Sequence, residues 1–102
     1  MTLSTNIESS ARRLFPNLTP EKALVELLLE RAQKNLIRYQ TLARQFEKKY
    51  AQDFKSLRQK ALAGKLDSLS EQDYFDWELA VTGIADMQEE IKHLKKALRA
   101  SC

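Results

Sequence analysis

The stretch that decides the fold is residues 19–50, TPEKALVELLLERAQKNLIRYQTLARQFEKKY. It holds no glycine, and its one proline, Pro20, stands at the front. Thr19 can accept hydrogen bonds from the exposed N–H groups of a helix start, Pro20 fits the first helical position, and Glu21 suits the positive end of the dipole. Leu29, Ala32, Leu36, Tyr39, Ala43, Phe46 and Tyr50 then follow alternating steps of three and four. Such steps hold an apolar seam on one face of a helix. At 1.5 Å per residue, the spacing predicts one helix of about 45 Å.

A second seam lies downstream. Trp77, Ala80, Ile84, Met87, Ile91, Leu94 and Leu98 repeat the same alternation. Ser70 and Asp73 open it with a loose capping box, and its length again comes to about 45 Å. Between the seams, residues 53–63 read as a short helix with Asp53 as its cap. Phe54, Leu57 and Ala61 share one face, and Gly64 is the stop. Upstream, residues 5–15 place Ile7, Ala11 and Leu14 on one face, behind a capping box of Thr5 and Glu8. Phe15-Pro16-Asn17 ends that segment, because proline disfavours helix at the residue before it.

Two long helices of matching length, joined by a compact segment, should fold back on each other. The expected class is all-α: a long antiparallel helical hairpin with a short connecting helix and a short N-terminal helix. Residues 1–18 form an N-terminal arm and residues 19–102 the hairpin domain. Leu24, Val25, Leu27, Leu28 and Leu29 cover more than one helix face, which two helices cannot hide. Leu24, Val25 and Leu28 are therefore expected to drive self-association into a homodimeric four-helix bundle. Gly83 costs about 1 kcal/mol relative to alanine inside a helix. A close approach by another helix would account for it, and so would chance.

The bulk properties set limits. A chain of 102 residues has room for one domain, and its 43% hydrophobic content argues against disorder. The single cysteine, Cys102, cannot form an internal disulfide, so a reducing, cytoplasmic location is expected. No apolar run approaches the ~20 residues that span a bilayer, and MTLSTNIESSARRLF lacks a signal-peptide core. A net charge of +3 does not by itself imply nucleic-acid binding.

Charge distribution says more. Residues 31–65 hold ten basic side chains against Glu47 and Asp53, while residues 67–90 hold eight acids and no lysine or arginine. A hairpin lays these blocks side by side. They are expected to pair within the molecule; the alternative leaves the acidic stretch exposed for a basic partner. Nucleic-acid binding by the basic stretch is a third reading, weakened by the lack of glycine-rich or zinc-type motifs.

Little in the sequence points to catalysis. His93, the only histidine, stands among lysines, and Glu90-Ile91-Lys92-His93 gives the Glu-x-x-His spacing of a di-iron bundle only once. Gly64 and Gly83 cannot make a phosphate loop, and Ser9, Ser10, Ser68 and Ser70 read as turn or cap residues. No catalytic, cofactor or metal site is expected. The aromatic residues are better clues. Phe46, Tyr50 and Phe54 end one arm, while Tyr74, Phe75 and Trp77 begin the other. They can plug the turn end of the hairpin, yet the last three cannot all share one helix face. At least one should project outward among acids, as interface anchors do. Tyr74, Phe75, Trp77, Asp73, Asp76 and Glu78 are thus the candidate protein-binding residues.

The run RQFEKKYAQDF (44–54), then SLRQKALAGKL (56–66), then DYFDWE (73–78) leading into a charged helix resembles a group of small bacterial and archaeal helical proteins. Many of these look like antitoxins of two-gene toxin–antitoxin modules. The resemblance covers roughly residues 44–98, and its most specific element is Asp73-Tyr74-Phe75-Asp76-Trp77-Glu78. It implies neutralisation of a small nuclease-like toxin by direct binding, with no catalytic residues to carry over. The segment up to Pro20 has no match in the group. The expected function is non-enzymatic protein binding, as an antitoxin. The alternatives are a structural or adaptor coiled coil of a larger assembly and a nucleic-acid-binding helical protein.

Overall fold

The computed structural model describes residues 3–100, so Cys102 and the end of the 19–102 unit lie outside the described residues. The chain is all-α. Among the described residues there are four helices and no strand: α1 (Thr5–Leu14), α2 (Pro20–Tyr50), α3 (Phe54–Leu62) and α4 (Ser68–Ala100). No helix among the described residues is long and apolar enough to cross a membrane.

Each helix starts where a polar side chain meets its free N–H groups. Thr19 Oγ1 accepts from the Lys22 N–H at 3.2 Å, and Asp53 Oδ1 from the Ser56 N–H at 2.9 Å, as the sequence predicts. Two caps differ from expectation. α1 is capped by Ser4, whose Oγ accepts from the Ile7 N–H, and not by Thr5. α4 is capped by Asp67, whose Oδ1 accepts from the Ser70 N–H at 2.8 Å, and not by Ser70. A carboxylate is the stronger acceptor, and using it draws residues 68 to 70 into the helix.

The helix ends are distinct. After α3, the Gly64 N–H donates to the Ala61 carbonyl and the Lys65 N–H to the Lys60 carbonyl, with Gly64 at φ +68°. This paired closure needs a left-handed residue, which glycine supplies without strain. α2 ends on Ala51, also left-handed at φ 52° and ψ 35°. Alanine holds that conformation against a Cβ clash.

α2 and α4 pack along a molecule 56 Å long and 24 by 22 Å across. Leu29 and Ala32 of α2 meet Leu94 near one end, while Ala43 and Phe46 meet Trp77 and Ala80 near the other. The two helices therefore run antiparallel. All the residues of both predicted seams are buried or half-buried. The turn-end cluster also takes in Leu57 of α3, with Tyr50, Phe54, Leu66 and Tyr74 at its margin. Gly83 is buried in α4, where a Cβ would lie 2.7 Å from Cδ2 and Cε2 of Tyr39. The space that Gly83 leaves is filled by the Tyr39 ring of α2.

Few charges pair across the hairpin. Among the described residues, one ion pair joins the basic and acidic blocks, between Lys49 and Asp73. Arg31, Lys34, Arg38, Arg44 and Lys48 on α2, and Glu71, Glu78, Asp86, Glu89 and Glu90 on α4, are exposed. They sit off the seams, where an exposed pair contributes about 0–1 kcal/mol and costs side-chain entropy.

Candidate protein-docking face

The segment Asp73–Glu78 lies in the first turns of α4, opposite the end of α2. At about 100° per residue, six consecutive side chains sweep the whole circumference. The structure divides them accordingly. Trp77 points into the hairpin and is 1% exposed. Its ring stacks on Phe46 and Tyr50 at centroid distances of 5.7 and 6.2 Å and meets Phe54 edge-on at 5.4 Å. Tyr74 is half-buried and stacks on Phe54 at 5.5 Å. Asp73 faces α2 and accepts hydrogen bonds from Lys49 Nζ and the Tyr50 hydroxyl. These three residues hold the fold together.

Those contacts shift the ionisation of their members. The Lys49 ammonium and then the Tyr50 hydroxyl hold the Asp73 carboxyl below the usual carboxylate range. Lys49 is pushed up, chiefly by its bond to Asp73. Tyr50 is pushed up by burial first and by Asp73 second. Burial, followed by the neighbouring Glu78 carboxylate, also raises Tyr74.

The other half of the segment faces solvent. Phe75 is 58% exposed, with its ring edge on Tyr74 at 5.6 Å. Glu78 is exposed, and the half-buried Asp76 accepts a hydrogen bond from Gln72 Nε2 at 3.2 Å. One residue escaped the sequence reading: Leu79, 68% exposed. It stands four residues after Phe75, so the two share one side of the helix. The four-residue spacing is present in the sequence, but a lone leucine beside an aromatic run carries no sign of which way it faces. Exposed Glu71, Thr82 and Asp86 lie on the same side of the helix as the pair. The result is a small apolar anchor on an acidic helix face, backed by a rigid aromatic cluster.

The residues expected to self-associate part company as well. Val25 packs against the Leu29, Ala32 and Leu94 cluster. Leu24 lines an apolar cleft of about 150 Å³ between α1 and α2, together with Ile7, Ala11 and Leu27. Leu28 stays open at 48%, beside Leu27 at 48% and Ile37 at 61%. Ile37 was not singled out in the sequence, because it lies outside the leucine-rich run. His93 is exposed. Among the described residues, no group of three or more His, Cys, Asp or Glu side chains is placed to hold a metal ion. Comparison with family models, curated proteins and solved structures finds no match to this chain.

Proposed function

We propose that this chain is a non-enzymatic protein-binding module that docks a basic surface of a partner protein on the outer face of α4. The observation that carries this reading is Phe75 and Leu79 exposed at 58% and 68% on an acidic helix side. Large exposed side chains on a face that the hairpin does not use are costly to leave in water and suit an interface anchor. The surrounding acids steer a basic partner towards that anchor and reject an acidic one. The resemblance of residues 44–98 to antitoxin-like proteins fits a small toxin as the partner and neutralisation in the cytoplasm as the role. The chain also self-associates in this reading, through the apolar side chains that α2 leaves open.

The test begins with a tagged chain used to capture partners from its source cells at two salt concentrations. A single small protein encoded next door, recovered in constant ratio, would support the antitoxin role. Co-expression with that protein should then relieve its effect on growth, and the Phe75→Ala/Leu79→Ala chain should fail to do so. Recovery of large-assembly subunits alone would point to the adaptor coiled coil.

A further inference from the structure

α2 carries a second seam, on the side turned away from α4. Leu27, Glu30, Lys34, Ile37 and Thr41 follow steps of three, four, three and four, so they share one helix face. Leu27, Glu30, Lys34 and Ile37 line one open groove and are all exposed. Leu27 also lines the cleft under α1, so the apolar surface of that cleft reaches the start of this face. Among the described residues, nothing covers the seam beyond α1.

The order of residues on the seam states what fits it. In an antiparallel helix pair, each layer joins one kind of seam position to the other kind on the facing helix. A two-fold axis opposite Ala32 places Leu27 in a layer with Ile37 of the second copy, and Glu30 in a layer with Lys34 of the second copy. The same operation repeats both layers in reverse. Two oppositely charged layers sit at the centre, flanked by two apolar ones. A parallel pair in register would set Glu30 against Glu30 and Lys34 against Lys34, which repel. We infer that the outer face of α2 pairs antiparallel with the same face of a second copy, in the register that matches Glu30 to Lys34 and Leu27 to Ile37.

This inference rests on the self-association proposed above and adds its surface, direction and register. Charged seam layers weaken a helix pair but select its register. The surface is isologous, so it closes at two copies and cannot propagate. α1 covers this face from Pro20 to Leu27, so the two copies meet only between Leu27 and Ile37 and their helices diverge beyond Thr41. The Thr41 side chain is short and tied back by a 2.8 Å hydrogen bond from its hydroxyl to the Ile37 carbonyl. The acidic face of α4 stays open in the pair, free for a different protein.

Charge reversal with sedimentation analysis tests the register. The wild-type chain should associate reversibly to a dimer below about 100 µM. Glu30→Lys leaves lysines facing lysines, and Lys34→Glu leaves glutamates facing glutamates. Each single variant should dimerise at least tenfold more weakly, with an unchanged helical circular dichroism spectrum. An equimolar mixture of the two single variants should recover dimerisation as a heterodimer, and the Glu30→Lys/Lys34→Glu chain should recover it alone. A wild-type chain that stays monomeric up to that concentration overturns both self-association and this interface. A wild-type dimer that the single variants do not weaken, or that the mixture and the double variant do not restore, overturns the register and leaves self-association standing.

Discussion

Gly83→Ala puts two effects of opposite sign in direct competition. Alanine is the better helix former by about 1 kcal/mol, so an exposed glycine replaced this way would stabilise the chain. Here the added Cβ would stand 2.7 Å from Cδ2 and Cε2 of Tyr39 and 2.8 Å from Cγ. Carbon atoms pack at about 3.5–4.0 Å, so roughly 1 Å of separation has to be found. Cγ is bonded to the Tyr39 Cβ, and it cannot retreat by a small rotation at the far end of the ring. Either Tyr39 leaves its rotamer or α2 and α4 move apart beside Ala43 and Ala80. Overpacking of this kind costs about 1–3 kcal/mol. With three ring atoms engaged together, the upper half of that range applies, and the net loss is about 1–2 kcal/mol. For a domain of this size, Tm should drop by roughly 5–10 °C. Thermal and urea unfolding at one fixed protein concentration would measure it, since the proposed self-association would make Tm concentration-dependent. The sharper assay is a double-mutant cycle. With Tyr39→Ala already present, Gly83→Ala should turn stabilising by about 1 kcal/mol, a coupling of about 2–3 kcal/mol. A Gly83→Ala chain more stable than wild type, or an equal effect in both backgrounds, would refute the reasoning.

Three further outcomes follow from the packing, the backbone and the ion pair. Trp77→Ala removes the side chain on which Phe46, Tyr50 and Phe54 converge, and should cost about 3–5 kcal/mol in urea unfolding. Ala51→Gly relieves the left-handed residue at φ 52° and should stabilise by about 1 kcal/mol, read as a higher urea midpoint at unchanged slope. The carboxyls of Asp53, Asp67 and Asp73 are all held below 3.8 by hydrogen bonds, so their stabilisation is complete above that pH and is lost as pH falls through the lowered values. Lys49 and Tyr50 are held above 10.5 and 10.0, so stability should also decline as pH rises through those raised values. A pH series of Tm should show both edges, and Asp73→Asn should blunt each of them.

The seams were legible because they depend on a rule that acts everywhere along the chain. A helix of 3.6 residues per turn buries whatever recurs at threes and fours, and Leu29 to Tyr50 and Trp77 to Leu98 recur that way. Pro20 and Gly64 marked boundaries for local steric reasons. Caps were less legible. Ser4 and Thr5 are adjacent candidates, and Asp67 competes with Ser70, so the choice turns on small differences in acceptor strength and helix length. The candidate site was half legible. Composition drew attention to the hexamer at residues 73–78, but only angle around α4 separates Trp77, which builds the core, from Phe75, which leaves it. Asp73 read as part of an acidic patch, yet it is the one acid that α2 captures. The charge blocks carried no angular information: they favoured pairing across the hairpin, but among the described residues only Lys49 and Asp73 lie at the right angle to pair, and most of both blocks faces solvent. The exposed side of α2 was hidden for another reason: Leu27 and Ile37 stand ten residues apart, and only a structure in which α4 occupies the opposite side shows them on one open face.

One binding measurement tests whether the outer face of α4 docks the proposed partner. The partner captured by the tagged wild-type chain would be purified and titrated against wild type, Phe75→Ala/Leu79→Ala and Glu30→Lys. The account predicts a loss of about 2 kcal/mol or more for the Phe75/Leu79 variant, about 30-fold in affinity, with its Tm essentially unchanged. Glu30→Lys, on the far side of the molecule, should bind like wild type, and wild-type binding should weaken with added salt. Undiminished binding by the Phe75/Leu79 variant, together with loss in Glu30→Lys, would place the docking surface on α2 and not on α4.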